Sequence, residues 1–210
     1  MMASQQKTAP VTLHTTADAS ALVRHRSELK SSGASVFPSY NDMLAKLTVA
    51  ALQAHPVVNS RWEGENLINA RDIHLGMAVD TENGLLVPVL RDIANLSLQE
   101  IATRFRDLTE RARTKRLTPD ELRGGTFTIS SLGSFGIDAF TPIINFPECA
   151  ILGVGRIVRQ PVAEGDAIVL RDILTLSLTF DHRAFDGAPA ARFLQALTRL
   201  IEAPLGTLDS

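Results

Sequence analysis

The sequence predicts an α/β fold that forms one domain over residues 1–210. With 210 residues, 45% of them apolar, the chain is long enough to bury a sizeable core. Segments with apolar residues at helical spacing follow segments with alternating or continuous apolar residues, which are typical of strands. No internal repeat, low-complexity block or linker divides them, so we expect a single globular unit.

The first third of the chain predicts a strand and two helices. Alternation around residues 10–14 indicates the strand, and Asp18 or Ser20 is the expected cap of a helix that stops near Gly33. The segment "PSYNDMLAKLTVAALQAHP" has apolar residues at helical spacing, with Ser39 or Asn41 as its expected cap.

The middle of the chain predicts strands followed by two capped helices. Residues 57–92 are typical of strands, with Asn83-Gly84 as the hairpin turn. Ser97–Glu100 and Thr118–Glu121 are capping boxes, which predict a long and a short helix.

The last third predicts three strands and a final helix. "GGTFTISSLGSFG" is a strand that enters a glycine-rich turn, and "CAILGVGRIV" and "LTLSLTF" are apolar strands. "PAARFLQALTRLIEAP" places its apolar residues on one helical face.

Composition excludes several classes of protein. The net charge of −2 and the lack of a basic stripe argue against nucleic-acid binding. No apolar run is long enough to span a membrane, and the N-terminus lacks the features of a signal peptide. Cys149 is the single cysteine, which fits a reducing compartment, and we expect it to be a buried hydrophobe. We therefore expect a cytoplasmic protein, or one of the mitochondrial matrix in a eukaryote. The histidines show no metal-ligand spacing, and we expect no metal.

The segment "SLTFDHRAFDGAPAARFL" combines titratable groups at a strand-to-helix junction. Continued alternation places His182 on the inward face of its strand, where a histidine is often purely structural. Asp186 can be a helix cap, and Gly187 can permit a sharp junction. The functional alternative is a general base held in one tautomer. Ser130 or Ser131 could then supply a hydroxyl to developing negative charge, although serine is also ordinary turn chemistry.

These residues carry a specific resemblance. "DHRAFDG" matches the His-x-x-x-Asp-Gly signature of the acyltransferase catalytic domain of 2-oxo acid dehydrogenase complexes, and chloramphenicol acetyltransferases carry a related signature. "GGTFTISSLGSFGIDAFTPIINFPECAILGVGRI" and "MAVDTENGLLVPVLRD" also resemble blocks of that family. The resemblance covers nearly the whole chain.

The resemblance implies a fold and a set of site residues. The fold is a chloramphenicol acetyltransferase-like two-layer sandwich, a mixed sheet packed against helices, in a trimer. His182 takes the place of the catalytic base, Asp186 that of the motif's supporting aspartate, and Ser130 that of the serine that stabilises the tetrahedral oxyanion. Arg183 and Gly187 complete the motif as structural support. Ser131 stands where many members have asparagine, and Asp181 receives no role.

The implied activity is transfer of an acyl group, preferably acetyl, between the thiol of dihydrolipoamide and coenzyme A. In this fold the histidine and the serine come from neighbouring subunits of a homotrimer, so His182 and Ser130 of one chain should lie far apart. Implied partners are lipoyl domains, other complex subunits and further trimers in a cubic or dodecahedral core. The chain resembles a core trimmed at its N-terminus, without the lipoyl and peripheral-subunit-binding domains.

Two other functions stay open. One is a non-catalytic structural core subunit, although such members tend to lose the histidine that this chain keeps. The other is an O-acetyltransferase for a small hydroxyl compound, of the chloramphenicol acetyltransferase type. Ser130, His182 and Asp186 also suggest a serine hydrolase, but the sequence has no G-x-S-x-G elbow.

Overall fold

A six-stranded mixed sheet forms one layer of the protein. The computed structural model describes residues 2–31, 37–82 and 84–209. The strand bounds are β1 Pro10–Asp18, β2 Ser60–Glu63, β3 Asn66–Asn69, β4 Leu75–Met77, β5 Val79–Thr81, β6 Gly84–Leu86, β7 Val89–Leu90, β8 Phe127–Ser131, β9 Ala150–Glu164 and β10 Ala167–Asp181. The large sheet has the order β1-β10-β9-β8-β4-β7, while β2-β3 and β5-β6 are separate two-stranded ribbons. Strand β8 runs parallel to both neighbours, and the other pairs are antiparallel.

The helices form the second layer. Their bounds are α2 Ser20–Ser31, α3 Tyr40–Ala54, α4 Leu98–Arg113, α5 Gly187–Glu202 and α6 Leu205–Leu208, whereas the short helix α1 Met2–Lys7 lies outside this layer, with Ser4 beside residues of β8 on the other face of the sheet. Ser39 caps α3 and Ser97 caps α4, each in a full capping box, while Pro119–Leu122 forms a 3₁₀ helix. The predicted mixed sheet packed against helices is thus confirmed. Gly33 and Asn83, named in the predicted helix stop and hairpin turn, lie outside the described residues.

The core lies between the sheet and the helices. Strand β10 turns Leu176, Leu178 and Phe180 towards the helices, and all three are fully buried. Helix α5 meets them with Phe193, whose ring lies 5.8 Å from that of Phe127 on β8. This packing fixes the C-terminal end of β10, where the predicted histidine motif begins.

The opposite face of the sheet is polar where β1 pairs with β10. Thr12 and Thr179 are hydrogen-bonded at 2.8 Å, and the His14 ring nitrogen Nδ1 lies 2.8 Å from the Ser177 hydroxyl. Strict alternation in β10 explains this, because the residues between its core leucines must face away from the helices.

Two glycines of β9 let a loop cross this second face. A Cβ atom at Gly153 would lie 3.2 Å from the Phe140 ring, and one at Gly155 would lie 1.9 Å from the Asp138 carbonyl oxygen. The loop closes on β9 through the hydrogen bond from the Arg156 backbone N–H to the Ile137 carbonyl, at 2.8 Å. The glycines of "LGVGRI" therefore serve close backbone packing.

We expect Gly155→Ala to destabilise the protein by about 3 kcal/mol, because the added methyl group cannot fit without moving backbone. Gly206→Ala is the matched control, since nothing lies within 4 Å of a Cβ atom there. Chemical denaturation of both variants measures the difference. Equal stabilities for the two would contradict the packing described here.

Cys149 is fully buried, as predicted. Burial, helped by the negative charge of Asp181, raises the pKa of this thiol to about 12. Such a thiol stays protonated and unreactive at neutral pH.

Within the described part of the chain, no helix combines the length and the apolar character needed to cross a membrane.

Candidate functional site

His182 lies directly after β10, and its side chain is 47% exposed. The alternation of β10 predicted an inward-facing histidine, and this prediction was wrong. The strand ends at Asp181, and the chain then turns, so the two-residue period no longer applies. The imidazole still rests against the core, with its centroid 5.7 Å from that of the buried Phe180 ring. Phe185 stacks on the same ring at 5.1 Å.

Asp181 is the anchor of the turn that presents His182. Its carboxylate is fully buried and accepts hydrogen bonds from the backbone N–H of Ala9 and the indole N–H of Trp62, both at 3.1 Å. It also accepts bonds from the Arg183 backbone N–H at 3.1 Å and guanidinium Nη2 at 2.6 Å. The His182 backbone N–H in turn donates to the Ala9 carbonyl at 2.9 Å. Both residues flanking the histidine are therefore fixed.

The hydrogen bonds to Asp181 also set its charge. Burial alone would raise the pKa of this carboxyl group, but the bonds from Arg183, Ala9 and Trp62 outweigh burial and hold the pKa below its ordinary value. Sequence reasoning gave Asp181 no role. The available signal was an acid two residues before an arginine, at the end of an otherwise apolar strand.

Arg183 supports the same turn from outside. Besides Asp181, its guanidinium contacts the Lys7 carbonyl and lies over the Trp62 ring at 5.0 Å. A guanidinium stacked on an aromatic ring and paired with a buried carboxylate has little freedom. These contacts are consistent with the supporting structural role that the motif resemblance implied for Arg183.

The sequence suggested Asp186 as a helix cap and Gly187 as the residue that permits a sharp junction, and the structure differs on both. Asp186 occupies the position that precedes α5, but its side chain makes no capping hydrogen bond. Its carboxylate is 83% exposed and lies 3.6 Å from the His182 Nδ1 atom, beyond hydrogen-bonding distance. A Cβ atom at Gly187 would meet nothing within 4 Å, so packing within this chain does not require glycine there.

We expect Asp181→Asn to destabilise the protein by about 1–3 kcal/mol at pH 7, because the amide cannot accept all the bonds that the carboxylate accepts. Folding lowers the pKa of the Asp181 carboxyl group, so this group stabilises the folded protein fully at a pH above the ordinary pKa of an aspartate. The stabilisation is lost as the pH falls through the lowered pKa. The difference from the wild type should therefore shrink in strong acid. Urea denaturation at pH 7 and below pH 4 tests this.

Asp186→Asn is the control for that variant, because the exposed Asp186 carboxylate makes no cap and should leave stability almost unchanged. A pH-independent difference for Asp181→Asn would contradict the buried carboxylate as its cause.

Ser130 lies on β8, away from the turn that carries His182. It lines a cavity of about 260 Å³ between β8, the loop that crosses the sheet and residues near β5 and β6. The cavity walls include Ala78, Leu85, Val87, Thr128, Phe140, Pro142, Asn145 and Ile151. Ser131 pairs with the buried Val154 of β9 and so faces the other side of the sheet. Of the two serines, Ser130 is therefore the one that faces this cavity.

Within one chain, Ser130 and His182 do not meet. Ser130 pairs with Gly153, and Gly153 pairs with Ser177, two strands away and five residues before His182. Strand spacings of about 4.8 Å and rises of about 3.3 Å per residue put the Cα atoms of the two residues roughly 19 Å apart. The described residues place no cluster of three or more histidine, cysteine or carboxylate side chains where a metal ion could be held.

Comparison with known proteins places the chain in a family. A family model described as 2-oxoacid dehydrogenases acyltransferase (catalytic domain) matches residues 1–208. The dihydrolipoyllysine-residue acetyltransferase component of the acetoin cleaving system of Bacillus subtilis is 51% identical over 161 residues, 77% of this chain and 40% of the relative. The corresponding component of the Zymomonas mobilis pyruvate dehydrogenase complex is 40% identical over 190 residues, 90% of this chain and 43% of the relative. The chain thus spans less than half the length of these relatives.

Solved structures agree with this placement. The dihydrolipoamide acetyltransferase of Azotobacter vinelandii, studied for the role of a serine, a histidine and an asparagine in its catalytic mechanism, superposes with a TM-score of 0.94 at 40% identity, covering 99% of this chain and 87% of that one. The cubic core of the pyruvate dehydrogenase multienzyme complex gives 0.94 at 41% identity, with coverages of 99% and 87%. A chloramphenicol acetyltransferase gives 0.58 at 13% identity, covering 93% and 89%, which confirms the predicted fold class alone. The chain therefore belongs to the family of 2-oxoacid dehydrogenase acyltransferase catalytic domains.

Proposed function

We propose that this protein transfers an acyl group between the thiol of dihydrolipoamide and coenzyme A, with His182 as general base and Ser130 as the donor to the oxyanion. One observation carries the proposal. The Azotobacter vinelandii histidine follows its serine by 52 residues, and the asparagine follows the histidine by four. His182 follows Ser130 by the same 52 residues, and Asp186 follows His182 by four. Of these three positions, only the last differs, with Asp186 in place of the asparagine.

The chemistry follows from these positions. A thiol with a pKa of about 8.5 is mostly protonated at neutral pH, so the attacking sulfur needs a base. The imidazole of His182 takes that proton as sulfur attacks the thioester carbonyl carbon. The carbonyl oxygen becomes an oxyanion, to which the Ser130 hydroxyl donates a hydrogen bond. His182 then returns the proton to the departing sulfur, and no acyl group is attached to the protein.

The surroundings of His182 select the nitrogen that acts. Nδ1 faces the Asp186 carboxylate at 3.6 Å, so Nε2 is the nitrogen left to face a substrate. A negative charge beside Nδ1 favours a proton on that atom and leaves the Nε2 lone pair free for the thiol. Asp186 thus orients the base through charge, while Asp181 and Arg183 fix the backbone that carries it.

The active site requires two chains in this proposal. The separation of about 19 Å within one chain is too large for a shared tetrahedral intermediate, so a neighbouring copy brings its own serine to each histidine. A homotrimer provides three such sites by rotation. Relatives that are components of complexes, together with the cubic core structure, support assembly into larger cores with lipoyl domains and other subunits as partners.

The proposal also covers the domain bounds, the acyl group and the cellular compartment. Residues 1–210 form one catalytic domain, which the family match over residues 1–208 supports. The acyl group is acetyl, in line with relatives named acetyltransferases. The protein works in a reducing compartment, the cytoplasm or the mitochondrial matrix; its single buried cysteine and a fission yeast relative named as mitochondrial are consistent with this.

An acyl-transfer assay tests the proposal. The protein is incubated with acetyl-coenzyme A and free dihydrolipoamide, and thioester formation is followed alongside the oligomer mass in solution. We expect transfer by a trimer or a larger assembly. Absence of transfer from every member of a panel of acyl-coenzyme A donors would support a structural core subunit instead. Acetylation of a small hydroxyl compound, with none of dihydrolipoamide, would favour an O-acetyltransferase.

A further inference from the structure

A buried carboxyl group lies behind the cavity that Ser130 lines. Glu148 is 1% exposed and follows the loop that crosses the sheet. Its Oε2 atom lies 2.6 Å from the Thr128 hydroxyl, and its Oε1 atom accepts a hydrogen bond from the Asn145 amide at 3.1 Å. Thr128 and Asn145 both line the cavity together with Ser130. The mechanism above uses none of these three residues.

Thr128 and Ser130 face the same cavity from one strand. They are two residues apart on β8 and therefore point to the same side of the sheet. Strand geometry sets their Cβ atoms about 6.6 Å apart. One oxygen atom midway between two such hydroxyls can accept a hydrogen bond from each.

The protonation state of Glu148 decides where the Thr128 hydrogen points. A threonine hydroxyl has one hydrogen to donate. If Glu148 is ionised, Thr128 must donate to it across the 2.6 Å contact. If Glu148 is neutral, its own proton occupies that contact, and the Thr128 hydrogen is free to point into the cavity. The Asn145 amide bonds to the other oxygen of Glu148 in both states.

The surroundings of Glu148 favour its neutral form. Burial raises the pKa of this carboxyl group to about 8, against the opposing effects of the Thr128 and Asn145 hydrogen bonds and the positive charge of Arg61. Arg61, which pairs with Glu148 in an isolated β-bridge, is the charged group that acts on it. Cys149, the titratable residue next in the chain, remains a thiol at neutral pH.

We propose that Thr128 is a second hydroxyl donor to the thioester oxygen beside Ser130, and that neutral Glu148 is the positioning residue that directs the Thr128 hydrogen into the cavity. The inference rests on the proposed acyl transfer and deepens it. Two donors at one oxygen match the change from a carbonyl to an oxyanion, which can accept more hydrogen bonds than the neutral carbonyl.

The test measures kcat, KM and thermal stability from pH 6.5 to 9.5, with acetyl-coenzyme A and dihydrolipoamide as substrates. We expect Thr128→Val to lower kcat about 10- to 100-fold with little change in KM, and Thr128→Ser to restore much of the loss. The wild-type kcat should fall above about pH 8, because Glu148 then ionises and accepts the hydrogen bond from the Thr128 hydroxyl. Glu148→Gln should abolish that fall, because the amide always donates to Thr128.

Thr48→Val is the matched control, since the Thr48 hydroxyl is buried in α3 without a hydrogen-bond partner among the described residues. We expect it to leave kcat unchanged. If Thr128→Val does not fold, the pH profile of Glu148→Gln decides. A wild-type chain without transfer overturns the proposed function and this inference together. Wild-type transfer with an undiminished kcat in Thr128→Val, or with the alkaline fall intact in Glu148→Gln, overturns the inference alone.

Discussion

His182→Ala should lower the rate of acyl transfer by about 10²–10⁴-fold, the usual contribution of a positioned general base. Without the imidazole, the attacking thiol must lose its proton to solvent, and only its ionised fraction reacts. That fraction rises about tenfold per pH unit below a pKa near 8.5. The defect should therefore shrink as the pH rises towards 9. Steady-state rates between pH 6.5 and 9 measure both the loss and its slope.

His74→Ala is a suitable control for that variant. His74 is a partly buried histidine whose ring accepts a hydrogen bond from the Asp92 backbone N–H, far along the sheet from His182. We expect it to keep transfer within about twofold, as is usual for changes outside a site. Because the His182 side chain is half exposed, the alanine variant should also fold normally. An undiminished rate in His182→Ala would remove the base from the mechanism.

Ser130→Ala should lower kcat by about 10²–10³-fold, the usual cost of losing one donor to an oxyanion. The KM values should change little, because the carbonyl of the bound thioester is uncharged before attack. Ser131→Ala distinguishes the two neighbouring hydroxyls, since Ser131 faces the other side of the sheet. Equal losses in both variants would contradict the assignment to Ser130.

Mixing the two inactive variants tests whether each site spans two chains. In a trimer assembled at random from His182→Ala and Ser130→Ala chains, about a quarter of the sites combine an intact histidine with an intact serine from the neighbour. Co-refolding should therefore restore up to about a quarter of wild-type activity from two inactive preparations. Mixed trimers that form but stay inactive would show that both groups act within one chain.

Local sequence patterns predicted most of the architecture. The predicted capping box at Ser97–Glu100 begins α4, and Ser39, one of the two expected caps, begins α3, because a cap needs only residues three apart in the chain. The apolar alternation of β10 and the one-sided pattern of α5 are likewise local, and burying those faces against each other gives the core. The candidate base His182 was named through the resemblance of "DHRAFDG" to a family signature, since the local pattern by itself left a structural histidine equally open.

The tertiary structure decided what periodicity cannot describe. His182 was predicted to face inward, but hydrogen bonds from Ala9 and Trp62, distant in sequence, hold Asp181 and turn the histidine outward. The link between Glu148 and Thr128 spans 20 residues and depends on how the crossing loop returns to the sheet. Such contacts join residues that are distant in the sequence, and they produce no periodic pattern from which they could be predicted.

By itself, the sequence determined most of the helices and strands and their order, because each depends on neighbours within a few residues. The folded chain alone determined which hydroxyl faces a cavity and which carboxyl groups are buried, and its strand register gives the distance between Ser130 and the end of β10 that precedes His182. The physical reason is that sheet register fixes distances between strands only once all of them have paired.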